Sequence, residues 1–270
     1  MSSISGVVFE RKDEYAICHV DSFSDELKEL IRTNLTAICH GAYLSSFEDE
    51  PLYCYESTLE SFIDRYKTKT EETKKGMIGE FLSHILITNY FDEFDIVSPF
   101  FNLEEKSIKK GFDVLLCNQE DNSLWITEVK SVGLHQNKDC DQTSRVLLNA
   151  AKADLNKRLN DSETMYWYNA TNSVNCTLSG ETDYKDVLLK IIRTEGGNAS
   201  KGDATSHDNN VVLVSVLFST LEERITSESV KKFLDSIAEE ALFSRTIVFS
   251  MQKETFSKVA DFILSESVQA

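Results

Sequence analysis

Lys109-Lys110-Gly111-Phe112-Asp113-Val114-Leu115-Leu116-Cys117, then Asn118-Gln119-Glu120-Asp121-Asn122-Ser123, then Leu124-Trp125-Ile126-Thr127-Glu128-Val129-Lys130 reads as two strands joined by a turn. Both apolar runs are short and the second is rich in β-formers, while the polar residues between them are of the kinds that close turns. With Gln119 to Asn122 at the tip, Asn118 faces Ser123, and the register carries back to set Asp113 opposite Glu128. Opposed side chains of an antiparallel pair lie roughly 4.5–5.5 Å apart on one face. Alternation keeps Lys130 on the face of Glu128 and turns Val129 to the other. Two carboxylates and an ammonium are therefore expected at one spot.

That trio has a definite chemistry. Carboxylates set face to face repel, and a divalent cation between them reverses the sign. Hard oxygen ligands from one or two carboxylates, with waters retained, suit Mg²⁺. Such an ion polarises a phosphoryl oxygen and lowers the pKa of a bound water. Lys130 beside it can orient that water and offset charge developing on a phosphate. The plainer alternative is a half-exposed hairpin carrying a Glu–Lys pair, since Asp…Glu-x-Lys is a short pattern.

The flanking segments build outward from the hairpin. Thr68-Lys69-Thr70-Glu71 has capping-box spacing, and Met77, Ile78, Phe81, Leu82, Ile85 and Leu86 predict a helix from Glu71 to about Tyr90. Glu80 lies inside it among apolar neighbours, where a carboxylate is seldom buried unless paired or metal-bound; the alternative is a boundary glutamate reaching solvent. His84, one turn on, reads as a hydrogen-bonded histidine at the core edge. Phe94 to Phe101 is a strand interrupted by Pro99. Thr143 to Asn160 is helical, with Val146, Leu147, Ala150, Ala151, Leu155 and Leu159 as its stripe and Lys152, Lys157 and Arg158 on other faces. Met165-Tyr166-Trp167-Tyr168 fits core burial better than base stacking. Asp183 to Arg193 is a short helix, and Thr194 to Asn210, with its glycines, is a mobile loop. Val211 to Phe218 is a central strand. Val230 to Ala241 is an amphipathic helix, Thr246 to Ser250 a strand, and Phe256 to Ile263 a last helix. The class is α/β, with residues 1–66 as an N-terminal αβ extension packed on the core or on a partner, and 67–270 as the main unit: a core over 67–160, its sheet completed by 211–268.

Glu80 on a helix, Asp113 at a strand start and Glu128-x-Lys130 on the next strand resemble the PD-(D/E)xK nuclease superfamily, whose αβββαβ core, a mixed sheet flanked by helices, has the same element order. More narrowly, Gly79-Glu80-Phe81-Leu82, Ser98-Pro99-Phe100-Phe101, Lys109 to Asp113 and Leu124 to Lys130 resemble the small nuclease subunit of the Hachiman anti-phage defence system (HamA-like, related to AbpA). The resemblance is carried by about Gly76 to Ser131; elsewhere it rests on length and element order. Phe112 stands where the superfamily commonly has proline. The resemblance implies a Mg²⁺-dependent DNA endonuclease, with Mn²⁺ able to stand in. Asp113 and Glu128 would hold the ion with the Val129 carbonyl as an extra ligand, Lys130 would position the attacking water, and Glu80 would complete the site. It also implies a HamB-like helicase partner from the same operon, which controls the nuclease and delivers the DNA.

Charge fits a controlled enzyme better than a free-standing one. Lys and Arg number 28 and Asp and Glu 45, a net charge of −17. Duplex binders usually carry a basic footprint, because phosphate contacts supply much of the affinity. Either a partner brings the substrate, or the chain is a catalytically silent acidic adaptor that docks a helicase or other basic partner. Lys106, Lys109 and Lys110, leading into Asp113, are the local candidates for DNA contact; a solvated face is the alternative. No apolar run approaches a membrane span and the start lacks signal-peptide features, so a cytoplasmic chain with six reduced cysteines is expected. Cys18-His19 and Cys39-His40 fit no common zinc spacing.

Overall fold

Strand β6 (Asn210–Phe218) is buried along nearly its whole length at the middle of a seven-stranded sheet. The computed structural model describes residues 3–47, 49–101 and 111–266. The chain runs β1 (Val7–Arg11), β2 (Tyr15–Val20), α1 (Asp25–His40), α2 (Ala42–Ser45), α3 (Tyr55–Lys67), α4 (Glu71–Tyr90), β3 (Phe94–Ile96), β4 (Val114–Asn118), β5 (Leu124–Gly133), α5 (Cys140–Leu159), α6 (Met165–Thr177), α7 (Lys185–Lys201), β6, α8 (Ser227–Glu240), β7 (Arg245–Lys253) and α9 (Ser257–Glu266). The strand order is β1-β2-β7-β6-β5-β4-β3. The central run β2-β7-β6-β5 is parallel, and an antiparallel neighbour closes it on each side: β1 on β2, then β4 and β3 beyond β5. The fold is thus α/β on one mixed sheet.

Period-two alternation divides the chemistry between two faces. Val129, Val212, Val214, Val216, Phe249 and Met251 point to the layer that contains α4, with α1 and α3 packed behind it. Leu124, Ile126, Val211, Leu213, Leu217 and Val248 point to the layer that contains α5, α6, α7 and α8. Helix α4 is buried from Ile78 to Ile87 because it has protein on both sides, and Phe62 of α3 meets Phe81 edge-on at 5.3 Å. At Gly79 the helix comes so close to the sheet that an added Cβ would lie 1.9 Å from Ser131 Oγ and 2.7 Å from Ser131 Cβ. That approach explains a glycine in the middle of a helix, where it otherwise costs stability.

Helix α4 has the bounds the periodicity predicts, but its cap differs. Thr70, not Thr68, is the N-cap and accepts a hydrogen bond from the Thr73 amide; Thr68 ends α3. Helix α5 begins earlier than its apolar stripe, at a capping box between Asp139 and Gln142. The largest departure is at 194–201. This stretch continues α7 instead of forming a loop. Gly196 is a packing residue, since a Cβ there would sit 3.0 Å from Trp167 Cβ on α6. The true stop is Gly202, at φ +78, and irregular chain with one 3₁₀ turn (Ser206–Asp208) follows. Residues 1–66 pack on the core: β2 pairs with β7 in the same sheet, and Leu27, Ile31, Leu35 and Leu59 join the α4-side core. Among the described residues no helix is long and apolar enough to cross a membrane.

Gly79→Ala should lower stability by roughly 1–3 kcal/mol, because the overpacked methyl must push α4 off β5. The urea midpoint should fall with an unchanged slope, and adding Ser131→Gly should recover part of the loss. A midpoint within error of wild type would refute the close contact.

Candidate active site

The hairpin register is the one expected from sequence. Val114 pairs with Thr127 and Cys117 with Leu124, and Asn118 N–H donates to the Ser123 carbonyl at 3.0 Å. One step beyond the last ladder pair stands Asp113, opposite Glu128. Asp113 Oδ2 accepts the Val129 N–H at 2.8 Å, which fixes the carboxylate over the end of the strand pair. Phe112 is buried against the rings of Tyr166 (5.8 Å) and Trp167 (5.2 Å) of α6. These ring contacts anchor the chain where it enters β4.

Glu128 is 1 % exposed. Its carboxylate is met by two cations. Lys130 Nζ donates to Oε1 at 2.8 Å, and Arg158 donates through Nη1 to Oε2 at 2.7 Å and through Nη2 to Oε1 at 3.1 Å. Lys130 also pairs with Asp154 at 2.5 Å, and Arg158 Nη1 reaches the Gly111 carbonyl at 3.3 Å. Asp154 and Arg158 lie one turn apart on α5, so this helix supplies one group to each side of the hairpin pair. Burial, and then the charge of Asp113, push the Glu128 carboxyl up to about 7, against the opposing pull of Arg158 and Lys130. Burial pulls Lys130 down, but the charge of Glu128 and its hydrogen bonds to Asp154 and Glu128 outweigh this and hold the ammonium above its ordinary value.

Asp113, Glu128 and Lys130 therefore come together as expected, and Glu80 is buried on α4. Helix α4 covers the face lined by Val129 and Ser131, whereas Glu128 and Lys130 project to the α5 face. The charges that act on Glu128 are Asp113, Arg158 and Lys130. Glu80 is buried in the opposite layer. Val129 contributes its N–H to Asp113, and its side chain is in the α4-side core. Lys106, Lys109 and Lys110 lie outside the described residues. His84 is buried, with its ring edge-on to Phe100 at 5.9 Å. Tyr168 is exposed while Trp167 is core, so the aromatic patch divides. His19 meets the Ile225 carbonyl and His40 meets Thr58 Oγ1.

Among the described residues no group of three or more His, Cys, Asp or Glu is placed to hold a metal ion. A cage of three carboxylates is thus not assembled. What does converge is two carboxylates that act on one another, with the Gly111 carbonyl alongside. Two carboxylates completed by waters are a donor set of the kind Mg²⁺ takes. Arg158 and Asp154 were the residues that sequence reasoning placed on other faces or passed over. Their i, i+4 spacing beside Leu155 and Leu159 was the available signal.

The HamA family model matches residues 7–264. The chain belongs to the HamA family. HamA is a component of the Hachiman anti-phage defence system. The HamA match opens at the first residue of β1 and closes within α9, so it spans the whole sheet, including the N-terminal strands. No curated protein matches the chain.

The elevated Glu128 pKa has a sign that can be tested. Unfolded glutamate loses its proton near 4.5, whereas Glu128 keeps it to about 7. Between those values the folded state binds more protons, so stability falls as pH rises. The contribution is fully present below about pH 4.5 and gone above about 7. In chelator, the melting temperature of wild type relative to Glu128→Gln should drop as pH is raised from 5 to 7.5. Parallel curves for the two proteins would contradict it.

Proposed function

We propose that the protein is a Mg²⁺-dependent deoxyribonuclease subunit on a PD-(D/E)xK-type core, controlled by a helicase partner. The observation that carries this reading is Asp113 standing opposite Glu128 at the mouth of a hairpin, with Lys130 on the same face as Glu128. The element order through this region, helix, three antiparallel strands, helix and, after two further helices, a strand parallel to the last of the three, supports it.

Asp113 and Glu128 would hold the ion, which supplies Lewis-acid activation of water and of a phosphoryl oxygen. Lys130 is gripped by Glu128 and Asp154, so its ammonium is held at a fixed place next to the reacting centre. It would orient the attacking water and stabilise charge on the non-bridging phosphate oxygens, without having to reorganise as that charge develops. The Val129 N–H fixes Asp113 in the orientation this requires. With a net charge of −17 the chain should have little affinity for DNA alone, which is the reason for assigning delivery of substrate to the partner.

A second reading, a catalytically silent acidic adaptor, is favoured by one observation: Glu128 is already satisfied by two cations. The two readings separate cleanly. If the chain is a nuclease, Asp113→Asn and Lys130→Ala each reduce Mg²⁺-dependent plasmid cutting, assayed with the partner present, by about 10²-fold or more. Both variants should also abolish phage protection in cells while remaining folded by circular dichroism. Full protection by both variants would leave the adaptor reading standing.

A further inference from the structure

Arg158 occupies Glu128 in the way a cation would. Its guanidinium spans both carboxylate oxygens, at 2.7 and 3.1 Å, and also reaches the Gly111 carbonyl, two residues before Asp113. Three oxygens, two from β5 and one from the chain entering β4, therefore converge on one planar monocation. A divalent ion held by Glu128 would draw on the same lone pairs, and Arg158 and Lys130 already engage three of the roughly four that a carboxylate offers. The two compete for Glu128 in this arrangement.

Charge counting points the same way. Arg158 and Lys130 carry two positive charges; Glu128, Asp113 and Asp154 carry three negative ones when ionised. Adding a divalent cation to a set so nearly balanced leaves excess positive charge in a partly buried site, unless one resident cation withdraws. Lys130 is tied to two carboxylates, one on its own strand and one on α5. Among the described residues Arg158 is tied to a single carboxylate, with the Gly111 carbonyl and the Tyr166 ring as its other contacts, and sits at the penultimate position of α5, its side chain 22 % exposed against 26 % for Lys130. With one carboxylate to release where Lys130 has two, it is the cation better able to leave.

We propose that Arg158 is a lock on this site: it closes Glu128 to divalent cations in the resting protein and swings away when the site is loaded. This rests on the reading of Asp113 and Glu128 as the metal-holding pair. Once displaced, the guanidinium stays beside the same centre, and its planar fork matches two phosphate oxygens. One side chain would then couple loading of the ion to capture of the phosphodiester. Any partner that draws the end of α5 away from the hairpin would open the lock.

The test is Mn²⁺ binding to the full chain by titration calorimetry, without substrate. Arg158→Ala should bind Mn²⁺ about tenfold or more tightly than wild type, because the charge-assisted bonds that compete for Glu128 are removed. Arg158→Lys, which keeps the charge but not the fork, should fall between them. The apo form of Arg158→Ala should melt lower than wild type, and Mn²⁺ should raise its melting temperature by more. Equal or weaker Mn²⁺ binding by a folded Arg158→Ala overturns the lock, as does absence of binding in both proteins. If Arg158→Ala does not fold, Arg158→Lys alone decides, by tighter or unchanged affinity. The control is Glu128→Gln in each background. If tight binding survives that change, the ion is held elsewhere and the metal-site reading itself fails.

Discussion

The buried carboxylate of Glu128 is the group around which this end of the molecule is organised. A carboxylate removed from water is unfavourable by several kcal/mol unless charge and hydrogen bonds compensate it. Here the compensation comes from Lys130 on the same strand and from Arg158 on the next helix. The second of these ties the last turn of α5 to the β4–β5 hairpin, and the Gly111 carbonyl brings the chain entering β4 into the same set. Helix α5 is also held by Leu147, Leu148, Ala151, Leu155 and Leu159, the last of them in the same turn as Arg158. The ion pair adds a polar tie to that apolar seat.

Strand alternation decides which charged residues can share a site. Because Glu128 and Lys130 face α5, Val129 and Ser131 must face α4, and Ser131 is the residue over which Gly79 allows α4 to settle. The close approach that buries Glu80 thus belongs to the opposite layer from the one where Arg158 and Asp154 meet the hairpin. A helix-borne carboxylate beside a Gly at this spacing marks tight helix–sheet packing first. The helix after the hairpin adds Arg158 and Asp154 to the charge set.

Much of this was legible in the sequence because it depends on short-range periodicity. Alternation and turn chemistry were enough for the Asp113–Glu128 register, and a 3.6-residue stripe was enough for α4. The failures have one cause, which is that the deciding contact is distant in sequence. Gly196 and Gly197 look like a break until Trp167 of another helix packs against the first of them. Thr68 and Glu71 have capping-box spacing, yet Thr68 is consumed as the end of α3, leaving Thr70 to cap. Arg158 lies off the apolar stripe of α5, and only the depth of Glu128 draws it inward. No local pattern reports that a carboxylate thirty positions upstream will be buried.

The same depth bears on how an acidic chain could act on a polyanion. At −17 the field of the chain repels nucleic acid, and screening removes that repulsion beyond about 8 Å at physiological salt. A phosphate brought to the hairpin by other means meets a different local field, because Lys130 and Arg158 lie within hydrogen-bonding distance of one another's carboxylate partner. With Glu128 held near its titration point by burial and by Asp113, the balance of that small cluster shifts with a single proton or a single cation. Long-range repulsion combined with a locally poised cluster suits a site that works when substrate is handed to it and is otherwise quiet. On the proposed nuclease reading, control would reside in what delivers the phosphate and what moves α5, and specificity for a base sequence need not be built into this chain at all.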